Sequence, residues 1–334
     1  MDIHVFTPSL AFSHLCDRAL SVHATEEWNE PGTCQMIIPQ AEAKKFPLEG
    51  ILNIPGIGGG FFIESVRENT SDRTATVTGR GILQAFGRRI LTDSPHIIGS
   101  AEDAILDLAQ DYGADALPGN LSLIRYGFPQ NVDVYPPRGS LLTAIRSIAR
   151  PAGLGLHLRL DRAAKEFLFS VRGSREGGHF LSRSLGNLLS VLRVEDRRDY
   201  VNQVTIRGKS GQVTVSAADC IRDGFDDGGA PLREYLLFAS DVDMSDFSSE
   251  ADYRAELYQR GVRFLLERRP QISAAIETDA ATAQNVIPGE ICPLADPLLG
   301  RYSGAICTQK SITADKNGVR HAISLSLVPD SQST

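Results

Sequence analysis

The residues able to do chemistry are scattered along the chain, and their spacing fits few reaction types. Asp241, Asp243 and Asp246 recur within "SDVDMSD", and Asp223, Asp226 and Asp227 within "DGFDDGG". Clustered carboxylates suit a hard cation, but "SDVDMSD" lacks the turn glycine and distal glutamate of an EF-hand loop. Both stretches read as solvated loop acids, and no metal is expected. The seven histidines (His4, His14, His23, His96, His157, His179 and His321) include no i, i+4 pair, the spacing that binds zinc on a helix. His157 sits in a strand beside Arg159 and reads as a surface or satisfied core histidine. Cys16, Cys34, Cys220, Cys292 and Cys307 form no CxxC; they read as small buried residues of a reducing compartment. "PGIGGG" at Pro55 is followed by neither Lys-Ser/Thr nor a helix, so it is a flexible loop rather than a phosphate cradle. GxSxG, HExxH and SxxK are missing, which removes the common hydrolase signatures. A glycosidase's acid pair needs no local spacing. The acids here, however, mostly sit beside arginines, as in "SREGG", "VEDRRD" and "PLREY". That favours ion pairing, and no cofactor is expected.

Glu64 differs from the other acids. With strict strand alternation it shares a face with Phe62 and Val66, flanked by apolar neighbours. A carboxylate there meets a cation or points into a wet lumen. Arg80, at the end of the next strand, is the candidate partner. The residues leave three readings: a half-buried pair held for geometry, a contact between subunits, or a catalytic acid.

The elements that must position these residues are mostly strands. Up to about His96, short apolar runs alternate with glycine and proline clusters, "PGT", "FPLEG" and "IPGIGGG", the punctuation of an antiparallel β domain. "TATVTGR" alternates Ala75 and Val77 with threonines, after the turn residues of "NTSD". The text then becomes helical. "SAEDAILDLAQDYG" has Ser100 as N-cap, Asp103 at the capping-box position and Gly113 as its stop. Its apolar face is Ala104, Ile105, Leu108 and Tyr112. "SLLTAIRSIARPAG", opened by Ser140 and closed by Pro151 and Gly153, is a second helix, and "LGLHLRL" and "EFLFSVR" make a hairpin. Strands return, interrupted by one long helix from about Ser249 to Pro270.

The expected organisation is therefore α+β, mainly β. Residues 1–98 form a first β domain, 99–180 an inserted α+β domain packed outside it, and 181–330 a second β domain with the longer helix. A weak repeat supports this. "FPLEGILNIPG" to "TATVTGR" and "NVIPGEICPL" to "HAISLSL" both run strand, turn, strand, polar turn, strand.

The totals exclude some classes. The chain has 334 residues, enough for more than one core, and its net charge of -7 gives no overall nucleic-acid footprint. No apolar run is long enough to span a bilayer, and "MDIHVFTPSLAF" lacks a basic n-region.

One ordered set of segments resembles a known family. "FFIESVRENTSDRTATVTGRGILQAFGRRI" is similar to the N-terminal barrel signature of phage tail baseplate hub proteins, in particular a siphovirus minor-tail family. There a hairpin ends in Gly-Arg, here Gly79 and Arg80, before a short helix with a basic tail, here Arg88 and Arg89. The likeness continues in "FLSRSLGNLLSVLRVEDRRDYVNQVTIRG" with Asn202, in "PLREYLLFASDVD" with Arg233 and Glu234, in "YRAELYQRGVRFLLERRP" and in "VIPGEICPL". Glu290 stands where an aspartate is expected. The resemblance implies two tail-tube-like antiparallel β-barrels per subunit, three subunits imitating a sixfold ring, and no catalysis. It implies a homotrimer at the virion tail tip, assembled in the bacterial host cytoplasm, that meets the tail tube or distal tail protein and tail-tip or receptor-binding proteins. DNA would be passing cargo only. Glu64, Arg80, Arg88, Arg89, Arg233 and Glu234 become the expected subunit contacts. The alternatives are a tail-associated glycan- or peptidoglycan-degrading enzyme and the hub of a contractile injection system. The former needs an appended module, for which the end at "SLVPDSQST" leaves no room.

Overall fold

The computed structural model describes residues 1–223, 229–268, 271–299 and 302–329. Asp226, Asp227 and the expected helix stop Pro270 lie outside them. The chain opens with β1 (Ile3–Phe6), β2 (Phe12–Cys16), β3 (Ser21–Glu27), β4 (Thr33–Pro39), β5 (Ile51–Asn53), β6 (Phe61–Asn69) and β7 (Thr74–Gly81). The short α1 (Gln84–Gly87), β8 (Ile90–Leu91) and β9 (Ile97–Ser100) lead into α2 (Ala101–Gly113). Next come β10 (Asn120–Ile124), β11 (Asn131–Val134), β12 (Gly139–Ser140), α3 (Leu141–Ala149), β13 (Leu154–Asp161) and β14 (Glu166–Gly173). After β15 (Arg175–Glu176), β16 (Leu181–Ser182) and β17 (Leu188–Asp196), the chain forms β18 (Gln203–Arg207), β19 (Gln212–Ser216), β20 (Glu234–Phe238) and α4 (Glu250–Glu267). It ends with β21 (Gln271–Thr278), α5 (Ala280–Asn285), β22 (Glu290–Ala295), β23 (Tyr302–Asp315) and β24 (Gly318–Pro329).

The class is mainly β, as expected. Among the described residues no sheet closes into a barrel. Both repeat segments are three-stranded antiparallel meanders, β5–β6–β7 and β22–β23–β24, and they belong to one 12-stranded sheet. Strand β23 pairs with β24 along one edge, and with β22 and then β3 along the other. From β24 the sheet continues through β23, β3, β4, β7, β6, β5 and β1 to β2. At its margins, β24 and β2, like the two-residue β15 and β16, have no further strand partner among the described residues.

The compact units cut the chain differently from the three-segment reading. Residues 1–192 and 275–334 form one unit, and Arg193–Ala274 a second. The stretch 99–180 shares a core with the first segment. Phe6, Ile51 and Phe62 stand opposite one another across β1, β5 and β6, and their side chains join the cluster of α2, α3, β13 and β14. The adjacent row, Val5, Leu52 and Phe61, faces the second core of that unit, with Met36, Ile38 and Val77. Strands buried on both faces read as continuous apolar runs rather than alternation, which explains "IHVF" and "FFI". Residues 193–274 have their own core. The sheet β19–β18–β20 lays Val204, Ile206 and Val215 against Tyr253, Leu257 and Leu265 of α4.

The helix signals fare unevenly. Ser100 caps α2, accepting from the Asp103 amide at 3.2 Å, and Ser249 caps α4 through Asp252 at 3.2 Å. Ser140 makes no such cap; its hydroxyl turns to the Gly87 carbonyl at 3.5 Å. On α2 the buried face also takes in Glu102, 2% exposed. Its carboxylate accepts from the amides of Tyr126, Gly127 and Phe128 at 2.6, 2.6 and 2.9 Å. Three backbone donors compensate the burial of that charge.

Candidate functional site

The sequence-predicted residues Glu64, Arg80 and Arg88 come together at a β-bulge. Ile63 pairs with Gly79 and Ser65 with Thr78, so Glu64 is the extra residue of β6. A side chain at Gly79 would run into the Phe62 carbonyl oxygen at 2.3 Å, so this close approach requires glycine. The bulge also corrects the expected face. Val66 packs with Ile63 in the core behind the sheet, while Phe62 belongs to the core on the other side. Glu64 is released from both and is exposed.

Its carboxylate meets Arg80 Nε at 3.6 Å and Arg88 Nη2 at 3.4 Å, and Arg88 Nη1 also reaches Glu49 at 2.5 Å. The guanidinium of Arg88 lies 5.1 Å from the centroid of the Phe62 ring, a cation–π distance. Burial works against the charge of Arg88, but Glu49 and Glu64 outweigh it and raise its pKa above the usual value. Glu49, Arg88, Glu64 and Arg80 thus alternate in sign along the surface. Arg80 remains 54% exposed at the cationic end, free to take a further acid.

Arg89 does not join this line. Its Nε donates to the Tyr112 carbonyl at 2.9 Å, in the last turn of α2, where unpaired carbonyls favour a cation. It therefore serves α2 and not its own helix. Arg233 and Glu234 lie in the smaller unit, where β20 begins. Arg233 Nη1 donates to the Arg197 carbonyl at 2.8 Å, and its guanidinium lies over Tyr200. Glu234 accepts from the Gln203 amide at 2.5 Å. Of the acids of "SDVDMSD", expected to be solvated, Asp241 pairs with Arg260 at 2.9 Å and Asp243 with Lys209 at 3.3 Å. Those two acids are thus turned to different cations.

Sequence reasoning missed a joint at Trp28–Glu30. The single tryptophan packs so closely on Gly155 and Gly289 that a Cβ at either would lie 2.4 or 1.9 Å from its ring. Asn29 continues the edge of β13, donating to the Leu154 carbonyl at 3.2 Å and accepting from the Leu156 amide at 3.1 Å. Glu30 takes both Nη atoms of Arg146 at 2.7 Å and Arg150 Nη2 at 2.7 Å, a two-pronged charge-assisted grip. The available signal was one tryptophan followed by two polar residues and a Pro-Gly turn. Beside this joint, Glu26, Glu27 and His157 line a small cleft together with Gly58, Gly59 and Gly60. The Gly58 amide donates to Glu26 at 2.9 Å. The "PGIGGG" loop is therefore tied to the chain's own carboxylate.

Buried thiols complete the inventory. All five cysteines are free and buried, and burial pushes Cys34 up to about 12, far from a nucleophilic thiolate. Among the described residues no group of three metal-ligating side chains is assembled, and no helix is long and apolar enough to cross a membrane.

No protein-family model matches the chain, and no curated protein does. Solved structures do. A tail protein from Neisseria meningitidis MC58 aligns with a TM-score of 0.56 and 14% identity, covering 97% of this chain and 96% of its own. The 43 kDa tail protein of prophage MuSo2 from Shewanella oneidensis gives 0.58 and 12%, covering 97% and 98%. The prophage tail protein gp18 from Listeria monocytogenes EGD-e gives 0.55 and 12%, covering 99% and 96%. Over nearly its whole length, this chain has the fold of those phage tail proteins.

Proposed function

We propose that the chain is a structural, non-enzymatic component of a phage-type tail, a hub that assembles as a homotrimeric ring at the tail tip. The observation that carries this reading is the shared fold with three phage tail proteins over at least 96% of each chain. In this reading residues 1–98 and 181–330 supply two tube-like wall elements per subunit, and residues 99–180 the inserted domain. Three copies then match a sixfold tube, because a closed ring needs heterologous contacts whose rotation closes. The open margins β24 and β2 support such joining, since a bare strand edge is a hazard unless covered. The net charge of -7 suits a channel that passes DNA without holding it. Glu64, Arg80 and Arg88, with Arg89, Arg233 and Glu234, are the proposed subunit contacts. The tube or distal tail protein lies on one side of the ring and tip or receptor-binding proteins on the other. The protein is built in the host cytoplasm and ends in the virion.

Native mass spectrometry with negative-stain imaging tests this. A trimer with a threefold channel is expected. A closed dimer or tetramer, stable across concentration and without a channel, overturns it. A cell-wall zymogram should show no clearing; a cleared zone would favour the enzyme reading.

A further inference from the structure

We propose that the free edge of β20 in the smaller unit is a docking site for an extended strand of another protein, one that carries a basic residue and two apolar residues on one face. Glu234 stands among the proposed ring contacts, whereas Leu236 and Phe238 of the same open edge lie outside them, and the site does not depend on the hub reading.

The sheet β19–β18–β20 shows the reason within itself. Its inner face is Val213, Val215, Val204, Ile206, Tyr235 and Leu237, turned to α4. Its outer face is polar on two strands: Gln212, Thr214 and Ser216 on β19, and Gln203, Thr205 and Arg207 on β18. On β20 the same face becomes Glu234, Leu236 and Phe238. Leu236 is 46% exposed and Phe238 66% exposed. The sheet therefore has two edges of opposite character. The β19 edge is polar, as natural edges are when guarded against pairing. The β20 edge carries no lysine, proline or bulge within Glu234–Phe238 and displays large apolar groups. Among the described residues no strand pairs with its outer side.

Charge identifies the occupant. Glu234 is exposed, and among the described residues its one side-chain partner is the neutral amide of Gln203. It makes no ion pair among the described residues. A strand laid against β20 therefore places a lysine or arginine opposite Glu234 and apolar side chains opposite Leu236 and Phe238. The antiparallel direction is the more stable pairing, so the partner reads apolar-x-apolar-x-basic. The polar β19 edge of a second copy, with Gln212, Thr214 and Ser216, does not offer that row. Main-chain hydrogen bonds would supply affinity and the alternate side chains selectivity, as in strand addition generally.

The test uses the full chain and a fluorescein-labelled heptapeptide, Thr-Val-Thr-Ile-Ser-Lys-Thr, read by anisotropy. Saturable binding is expected. Replacing the peptide lysine by glutamate should weaken it about threefold, the scale of an exposed ion pair, and Glu234→Lys should reverse that preference. The double variant Leu236→Thr, Phe238→Thr should weaken binding about tenfold or more. Both positions are on the surface, so an unchanged thermal melt establishes that the variant is folded. Failure to bind, equal binding of both peptides, or indifference to the double substitution overturns the proposal. So does sedimentation showing that the wild type self-associates and the double variant does not, because the occupant is then a second copy.

Discussion

The meanders β5–β6–β7 and β22–β23–β24 share strand order and a polar turn before the last strand, yet they are buried in different ways. In the first, Phe61, Phe62 and Ile63 are all buried, because β6 lies between two cores. In the second, Ile323 and Leu325 are buried while Ala322, Ser324 and Ser326 are exposed, as on a strand covered on one side. Its buried positions include charged groups. Glu290, 3% exposed, meets His179 Nδ1 at 2.7 Å, and Lys310, 5% exposed, donates to the Gln284 carbonyl at 2.5 Å. Topology can therefore repeat without repetition of packing. Turn residues set the order of strands, whereas the length of each apolar run sets how many faces are covered.

The strongest way to break this comparison is to remove the second cover of the first meander. Deleting residues 99–180 and joining the ends exposes Phe6, Ile51 and Phe62 together. The expected product is aggregated, with no cooperative melt. A soluble, β-rich remainder that melts cooperatively would restore the picture of a separable insert. Next in size is a matched pair of truncations. Phe62→Ala should cost about 3–5 kcal/mol, because it opens a cavity between packed layers, whereas Leu325→Ala should cost about 2 kcal/mol where neighbours can relax toward solvent. Urea titration of both variants checks this, and equal losses would mean that the two meanders are packed alike.

Much of this was legible in the residues, and the rest failed for identifiable reasons. Ser100 and Ser249 announced their helices because capping is local. "TATVTGR" gave β7 because alternation is local too. The bulge at Glu64 was hidden, since one extra residue moves every later side chain to the other face and leaves no mark in composition. The burial of Glu102 leaves no local mark, because its three amide partners lie more than twenty residues away. The separate unit 193–274 was missed because its strands and helix resemble the elements around them. The joint at Trp28–Glu30 depends on Gly155, Gly289, Arg146 and Arg150, all distant in sequence.

Acid sharpens the comparison through one histidine beside the first meander, His157 of β13, and one within the second, His321 of β24. Burial, then Arg172 and Arg159, push His157 down to about 3. His321 in β24 is also lowered, by burial and then Lys310. For a group depressed in the folded state, the unfolded chain binds the proton first. Nothing is lost above pH 6.5, and stability declines as pH falls from there toward the folded value. At pH 5 the loss through His157 is about 2 kcal/mol, and it stays near that size for any folded value well below 5. Denaturation midpoints at pH 7 and pH 5 should therefore converge more in His157→Gln than in His321→Gln. The reverse order would place the drier histidine in the second meander.

The smallest effect on stability is expected at the bulges themselves, and there the meanders differ in kind. The middle strand of each is bulged, β6 at Glu64 and β23 at Ser303 and Thr308. Thr308 spends its hydroxyl within its own hairpin, on the Ser324 carbonyl at 3.2 Å. Glu64 instead holds two arginines at the surface. In Glu64→Gln the backbone bulge persists, because Gly79 still admits it, and Arg88 keeps both Glu49 and the Phe62 ring. Exposed pairs contribute about 0–1 kcal/mol each, so the thermal midpoint should barely move. Thr308→Val should be similarly mild. The two should separate in assembly. If the Glu64 line is a contact of the proposed trimer, Glu64→Gln shifts that assembly to lower mass at concentrations where Thr308→Val leaves it intact. Identical mass distributions for both variants would return Glu64 and its arginines to a purely intrachain role.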